Sequence, residues 1–208
     1  MKRRLLLVAG SAAALGLAAR PASAQASALA EQVRRRLVEA PVLRGEFEQR
    51  RTLTGFRNPL VSRGDYVVAR ARGVAWRTRE PFASTLVLTR ERALSRQPDG
   101  RVDTLTDARE QPVLRLVNRM LFALMAADLA VLQEGFRVEG QVGATGWRLA
   151  LAPRDAPLSQ WVSRIDLEGD RHVDSVHLAE PQGDATEIRL SRQSAGEALT
   201  ADEEARFG

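Results

Sequence analysis

Side chains able to do acid–base or nucleophilic chemistry are few in this 208-residue sequence, and their spacing does not gather them. The two histidines, His172 and His177, are five residues apart on an expected strand, so they point to opposite faces and make a poor metal pair. Ser62, Ser84 and Ser159 lack the strand-turn-helix setting that exposes a nucleophilic serine. Asp166 and Glu168 share a strand face, but solvated charge is the ordinary reason for such a pair. No glycine loop is spaced to cradle a phosphate. With no cysteine, the chain has no disulfide, no thiolate nucleophile, no thiolate metal site and no residue to carry the acyl chains of a bacterial lipoprotein. These observations point away from an enzyme: no catalytic residue, no metal and no cofactor is expected.

The elements that would position a site begin after a leader. Lys2, Arg3 and Arg4 precede an apolar run from Leu5 to Ala19, and Ala22-Ser23-Ala24 offers a small-residue cleavage site. That is the pattern of a secretory signal peptide over residues 1–24. The run is broken by Gly10, Ser11 and Gly16 and falls short of the roughly 20 residues that cross a bilayer. Residues 25–208 then form a single domain, expected to be freely soluble once released. The leader carries four positive residues and no acid, so the net charge of +5 falls to near +1 in the remaining chain. Its arginines are scattered among Asp and Glu, which argues against nucleic acid as a partner.

Ser27 to Glu39 reads as an amphipathic helix, with Leu29, Val33, Leu37 and Val38 on one face and Pro41 as its stop. From there to about residue 106 the apolar residues alternate with period two. Leu43, Gly45, Phe47 and Gln49 share a face, as do Tyr66, Val68 and Arg70, then Val74, Trp76 and Thr78, then Leu86 and Leu88. From residue 111 to 127 the period becomes helical, with a wide apolar stripe that includes Met120, Leu121, Leu124 and Met125. Asp128 is suited to cap a short second helix. Strands return at 136–142, 147–151 (with Trp147 and Leu149 on one face), 162–167, 172–178 and 185–190. Thr200 and Glu203 are spaced as a capping box for a terminal helix.

The implied architecture is α+β: an antiparallel sheet with one apolar face, and helices to cover it. A sheet this long curls, and its concave side is either packed with side chains or left open for a ligand. Periodicity admits both.

The chain resembles the LolA-type periplasmic carriers of outer-membrane lipoproteins, particularly their shorter relatives, over most of residues 27–193. The matching landmarks are Gly45-Glu46-Phe47-Glu48-Gln49, Gly64-Asp65-Tyr66-Val67-Val68-Ala69-Arg70 followed by Trp76, Glu80-Pro81, and Gly183-Asp184-Ala185-Thr186-Glu187-Ile188. The resemblance implies an unclosed antiparallel β-barrel, a curved half-barrel sheet covered by lid helices, with a cavity between them for acyl chains. Carried over, residues 111–127 belong to the lid. Phe47, Tyr66, Val68, Trp76, Leu86, Leu88, Met120, Leu121, Leu124, Met125, Trp147 and Leu149 are then the expected lipid-binding residues. Arg70 matches an arginine that latches the lid over the empty cavity, with Ala71 where the family has proline.

The chain ends soon after the 185–190 strand, where the main carriers add another. The resemblance further implies a monomer in the periplasm that receives an acylated lipoprotein or related lipid from an inner-membrane export complex and hands it to an outer-membrane acceptor. A lipid- or lipoprotein-sensing adaptor of an envelope system is the alternative in a different class.

Overall fold

The computed structural model describes residues 22–89, 92–107, 123 and 128–207. Helix α1 (Ala22–Arg34) leads to β1 (Val42–Thr52), β2 (Leu60–Ala69), β3 (Gly73–Glu80), β4 (Ser84–Leu88), β5 (Arg92–Arg96) and β6 (Val102–Asp107). Helix α2 (Leu129–Gly135) precedes β7 (Phe136–Val142) and β8 (Trp147–Pro153). The chain continues through helix α3 (Ala156–Ser159), β9 (Arg164–Gly169), β10 (Val173–Ala179), β11 (Ala185–Gly196) and helix α4 (Ala201–Phe207). Apart from Ala123, which is helical and buried, the expected 111–127 helix, with Met120, Leu121, Leu124 and Met125, lies outside the described residues, as does most of the expected leader.

All eleven strands form one antiparallel sheet in the order β6-β5-β4-β3-β2-β1-β11-β10-β9-β8-β7. It consists of two hairpin meanders, β1 to β6 and β7 to β11, joined where β1 pairs with β11. The outer strands β6 and β7 are not paired with each other, so the sheet is an unclosed barrel. Helix α1 lies against β7 and α2.

Register explains why one face is apolar. Leu43 stands opposite Val68, Val68 opposite Val74, and Val74 opposite Leu88. Tyr66 likewise stands opposite Trp76, and Trp76 opposite Leu86. Directly opposed residues share a face, so the four alternating sets expected from sequence fuse into one surface. On the other meander, Ile188, Val176, Leu167 and Leu149 make a similar row across β11, β10, β9 and β8. The two surfaces form two buried clusters, and both pack against Ile188 and Leu190 of β11.

Helix α1 differs from expectation at both ends. It begins within the expected leader and stops at Arg34 rather than continuing toward Pro41. The Arg36 and Leu37 amides both donate to the Val33 carbonyl, which tightens the last turn, and the Val38 amide then donates to the Arg171 carbonyl at 2.8 Å. A hydrogen bond to the β9–β10 turn thus takes the donor that another helical turn would have used. Helix α2 is capped as expected: the Asp128 carboxylate accepts from the Val131 amide at 3.2 Å.

On the opposite face of the sheet, α4 packs against β3 and β4, where Val67, Ala75 and Val87 are buried in one cross-strand row. Its capping box is formed: the Thr200 amide donates to Glu203 at 2.7 Å, and the Glu203 amide donates to the Thr200 hydroxyl at 3.3 Å. The buried Glu203 carboxylate also accepts from Arg44 Nε of β1 at 2.5 Å. Arg206 donates to Asp65 at 2.7 Å. The Arg44 hydrogen bond, helped by the Thr200 amide and opposed by burial, holds the Glu203 carboxyl down at about 2 against an ordinary 4.5.

Because the folded value is depressed, this stabilisation is fully present above pH 4.5 and is lost as pH falls toward about 2. Glu203→Gln should lower stability by about 2 kcal/mol at neutral pH. It should also flatten the acid limb of the urea-midpoint-against-pH curve. An unchanged acid limb would show that Glu203 is not responsible for it.

Candidate functional site

A cavity of about 530 Å³ lies where α1, residues 37–40 and α2 face the sheet strands β1, β2, β10 and β11. Leu37, Leu43, Val68, Leu129, Val173 and Leu190 supply apolar wall. Its volume falls within the roughly 300–1,000 Å³ range of small-molecule pockets. A second hollow of about 500 Å³, beside the β7–β8 turn and bordered by Trp147, has a mainly polar wall that includes Gln141, Arg148 and Glu168.

The sheet wall of the first cavity is shaped by one irregularity. Between Arg44 and Glu46 the β1–β11 register shifts, so that Gly45 faces the two residues Arg192 and Gln193. This is a β-bulge, and Arg192 takes the left-handed conformation it demands, at φ 50°. The bulge helps aim Gln193 at the cavity, where its Oε1 accepts from the Tyr66 hydroxyl at 2.7 Å. The Gln193 side-chain amide in turn donates to the Val173 carbonyl at 2.8 Å, tying β2, β11 and β10 together. Tyr66 reaches β11 by lying across β1 at Gly45, where an added Cβ would sit 2.7 Å from the tyrosine ring and hydroxyl. Glycine is required there to let the ring pass.

The sequence-expected residues separate into groups. Tyr66, Val68 and Arg70 line the cavity together. Phe47 and Trp76 stack with ring centroids 3.8 Å apart and, with Leu88 and the partly buried Leu86, fill the concave face beside the cavity. Tyr66 also stacks on Trp76, its ring centroid 5.7 Å away. Trp147 and Leu149 belong to the second buried cluster, and the Trp147 indole donates to the Asp170 carbonyl at 2.8 Å. Arg70 is exposed in the turn just after β2, with its amide on the Pro41 carbonyl at 3.1 Å. Arg171 and Gln193, which were not picked out from sequence, also line the cavity, as does His172, which sequence had set aside as a poor metal ligand. His172 falls in the bend before β10 rather than on the strand, and the pairing of the Val38 amide with Arg171 was the missing signal.

The strand order, the apolar concave face and the helix-covered cavity can be set beside known proteins. A family model described as outer membrane lipoprotein carrier protein LolA-like matches residues 21–206. The chain belongs to that family. Among solved structures, a LolA superfamily protein of Nitrosomonas europaea is similar at a TM-score of 0.51 and 9% identity, over 88% of this chain and 97% of that one. A DUF1329 family protein of Desulfovibrio piger is similar at 0.50 and 11% identity, over 91% and 98% of the two chains. The MucA/MucB complex of Pseudomonas aeruginosa matches at 0.47 and 19% identity, over 87% of this chain and 59% of that one. No curated protein matches by sequence. Likenesses at such low identity concern the fold alone, and no helix among the described residues is long and apolar enough to cross a membrane.

The sole tyrosine gives this site its own spectroscopic probe. Burial, reinforced by the nearby Asp174 charge, pushes the Tyr66 hydroxyl well above its ordinary value of 10. Tyrosinate absorbance should therefore stay flat through pH 10 while the protein remains folded. Gly45→Ala should displace the ring and lower the ionisation pH. A normal tyrosine titration in the wild-type chain would contradict the buried placement.

Proposed function

We propose that this LolA-like protein is a periplasmic carrier that takes acyl chains of a lipoprotein or related lipid into the cavity beneath α1 and α2. It would receive them from an inner-membrane exporter and deliver them to an outer-membrane acceptor. The observation that carries this reading is the hollow itself: apolar side chains of β1, β2, β10 and β11 face space under a helical cover in a member of a carrier family. Each buried methylene is worth about 0.8 kcal/mol, so a long acyl chain costs on the order of 10 kcal/mol to leave in water. A carrier has to shield the chain continuously and hand it directly to another apolar site. That task needs no catalytic group, nucleotide or metal in the carrier.

Lipid contact is assigned to Tyr66 and Val68 in the wall, and Phe47, Trp76, Leu86 and Leu88 act as the packed support behind them. Arg70, at the cavity rim, serves as the latch toward the helical cover. Arg70→Leu should then retain lipid and release it slowly to acceptor vesicles, and normal transfer by that variant would remove Arg70 from the mechanism.

Native mass spectrometry of protein purified gently from periplasm, before and after lipid extraction, tests the function. The expected result is a mass excess that disappears on extraction and fragments to an acylated peptide or lipid. A protein that is empty in every preparation contradicts the carrier reading.

A further inference from the structure

The cavity that the proposed function fills with acyl chains also carries unusual polar groups on its wall. Most described arginines sit in ion pairs, for example Arg34 with Glu31 and Glu39, Arg36 with Asp170, and Arg44 with Glu203. Arg70 and Arg171 both line this cavity, and neither guanidinium has an ion-pair or hydrogen-bond partner among the described residues. They flank one short piece of chain: the Arg171 carbonyl holds the Val38 amide, and the Arg70 amide holds the Pro41 carbonyl. Residues 38–41 span at most about 11 Å, so the two arginines leave the backbone near the two ends of the same strap.

Between Arg171 and the buried Val173 stands His172, whose Nε2 is shut off from solvent and has no hydrogen-bond partner among the described residues. A polar ring atom in that state lacks the compensation that water or protein normally gives it. The nearby carboxylates are already committed. Glu31 and Glu39 are paired with Arg34 at 2.8 and 2.9 Å, and Asp128 caps α2. The Tyr66–Gln193–Val173 chain satisfies its own members. What stays available at the cavity is the two exposed guanidinium groups, since the enclosed His172 nitrogen is out of reach of a ligand.

We propose that Arg171 and Arg70, at the two ends of the strap, form an anion-binding subsite for the head group of an amphiphilic cargo whose tail occupies the cavity. A carboxylate and a phosphate monoester share the required chemistry: oxygen acceptors for a guanidinium fork. The subsite deepens the carrier reading and rests on it. It predicts selection by the charge of the head as well as by the tail.

The test uses the delipidated protein and probes with one common sixteen-carbon tail: hexadecanoate, its neutral methyl ester, and hexadecyl phosphate. Binding is followed by displacement of a neutral fluorescent apolar dye. Hexadecanoate or hexadecyl phosphate should bind at least tenfold more tightly than the ester, and the tighter of the two identifies the head group. Arg171→Gln should remove most of that preference, the loss falling on the two anionic probes. Arg171→Ala serves the same purpose if Arg171→Gln loses its thermal transition.

Equal binding of acid, phosphate and ester by the wild-type protein would overturn the subsite and leave the cavity reading standing. So would a preference that survives in a folded variant. Failure of all three probes to bind the folded wild-type protein would overturn both.

Discussion

Pairing of β1 with β11 is the constraint on which the rest of the molecule depends. Each meander carries its own buried cluster, and the two clusters meet only at β11. The single β1–β11 ladder joins them into an eleven-strand sheet and sets Phe47 opposite Leu190 and Gln49 opposite Ile188. Those two β11 residues pack against both buried clusters, so the concave surface is continuous only while that register holds. A slip of one residue would turn every inward side chain of one meander outward.

The bulge in this same ladder couples the frame to the cavity. Without the extra residue at Arg192–Gln193, Gln193 would lose the offset that aims it at Tyr66, and the tyrosine hydroxyl would be buried without that partner. Arg192 adopts a conformation unfavourable for a non-glycine residue, and its ion pair with Glu46 at 3.0 Å helps hold it there. Behind the sheet, α4 packs against β3 and β4 in the region of the buried row Val67, Ala75 and Val87.

Much of this was legible in the sequence, for a physical reason. Strand parity is a local property, so the inward sets around Phe47, Tyr66, Trp76 and Leu86 could be read directly, and cross-strand register merely aligned them. Asp128 and the Thr200–Glu203 pair were legible because caps are also local. What was not legible depends on tertiary contact. Aromatic alternation does not say which rings line a cavity and which fill the face beside it; the Phe47–Trp76 stack decides that. Nor does the sequence show that Arg171 and His172 meet residues 38–41, because that follows from one backbone hydrogen bond between distant segments. The lipid contacts expected at Met120, Leu121, Leu124 and Met125 lie outside the described residues.

The central claim is that an acyl tail lies against the concave side of β1, β2 and β11. Intermolecular nuclear Overhauser contacts between methyl-labelled protein and a bound sixteen-carbon chain test it most directly. The account predicts contacts from the tail to Leu43, Val68 and Leu190 and none to Val67 or Val87 on the opposite face. Contacts confined to the opposite face, or a saturated complex in which the Leu43, Val68 and Leu190 methyls stay silent, would contradict it.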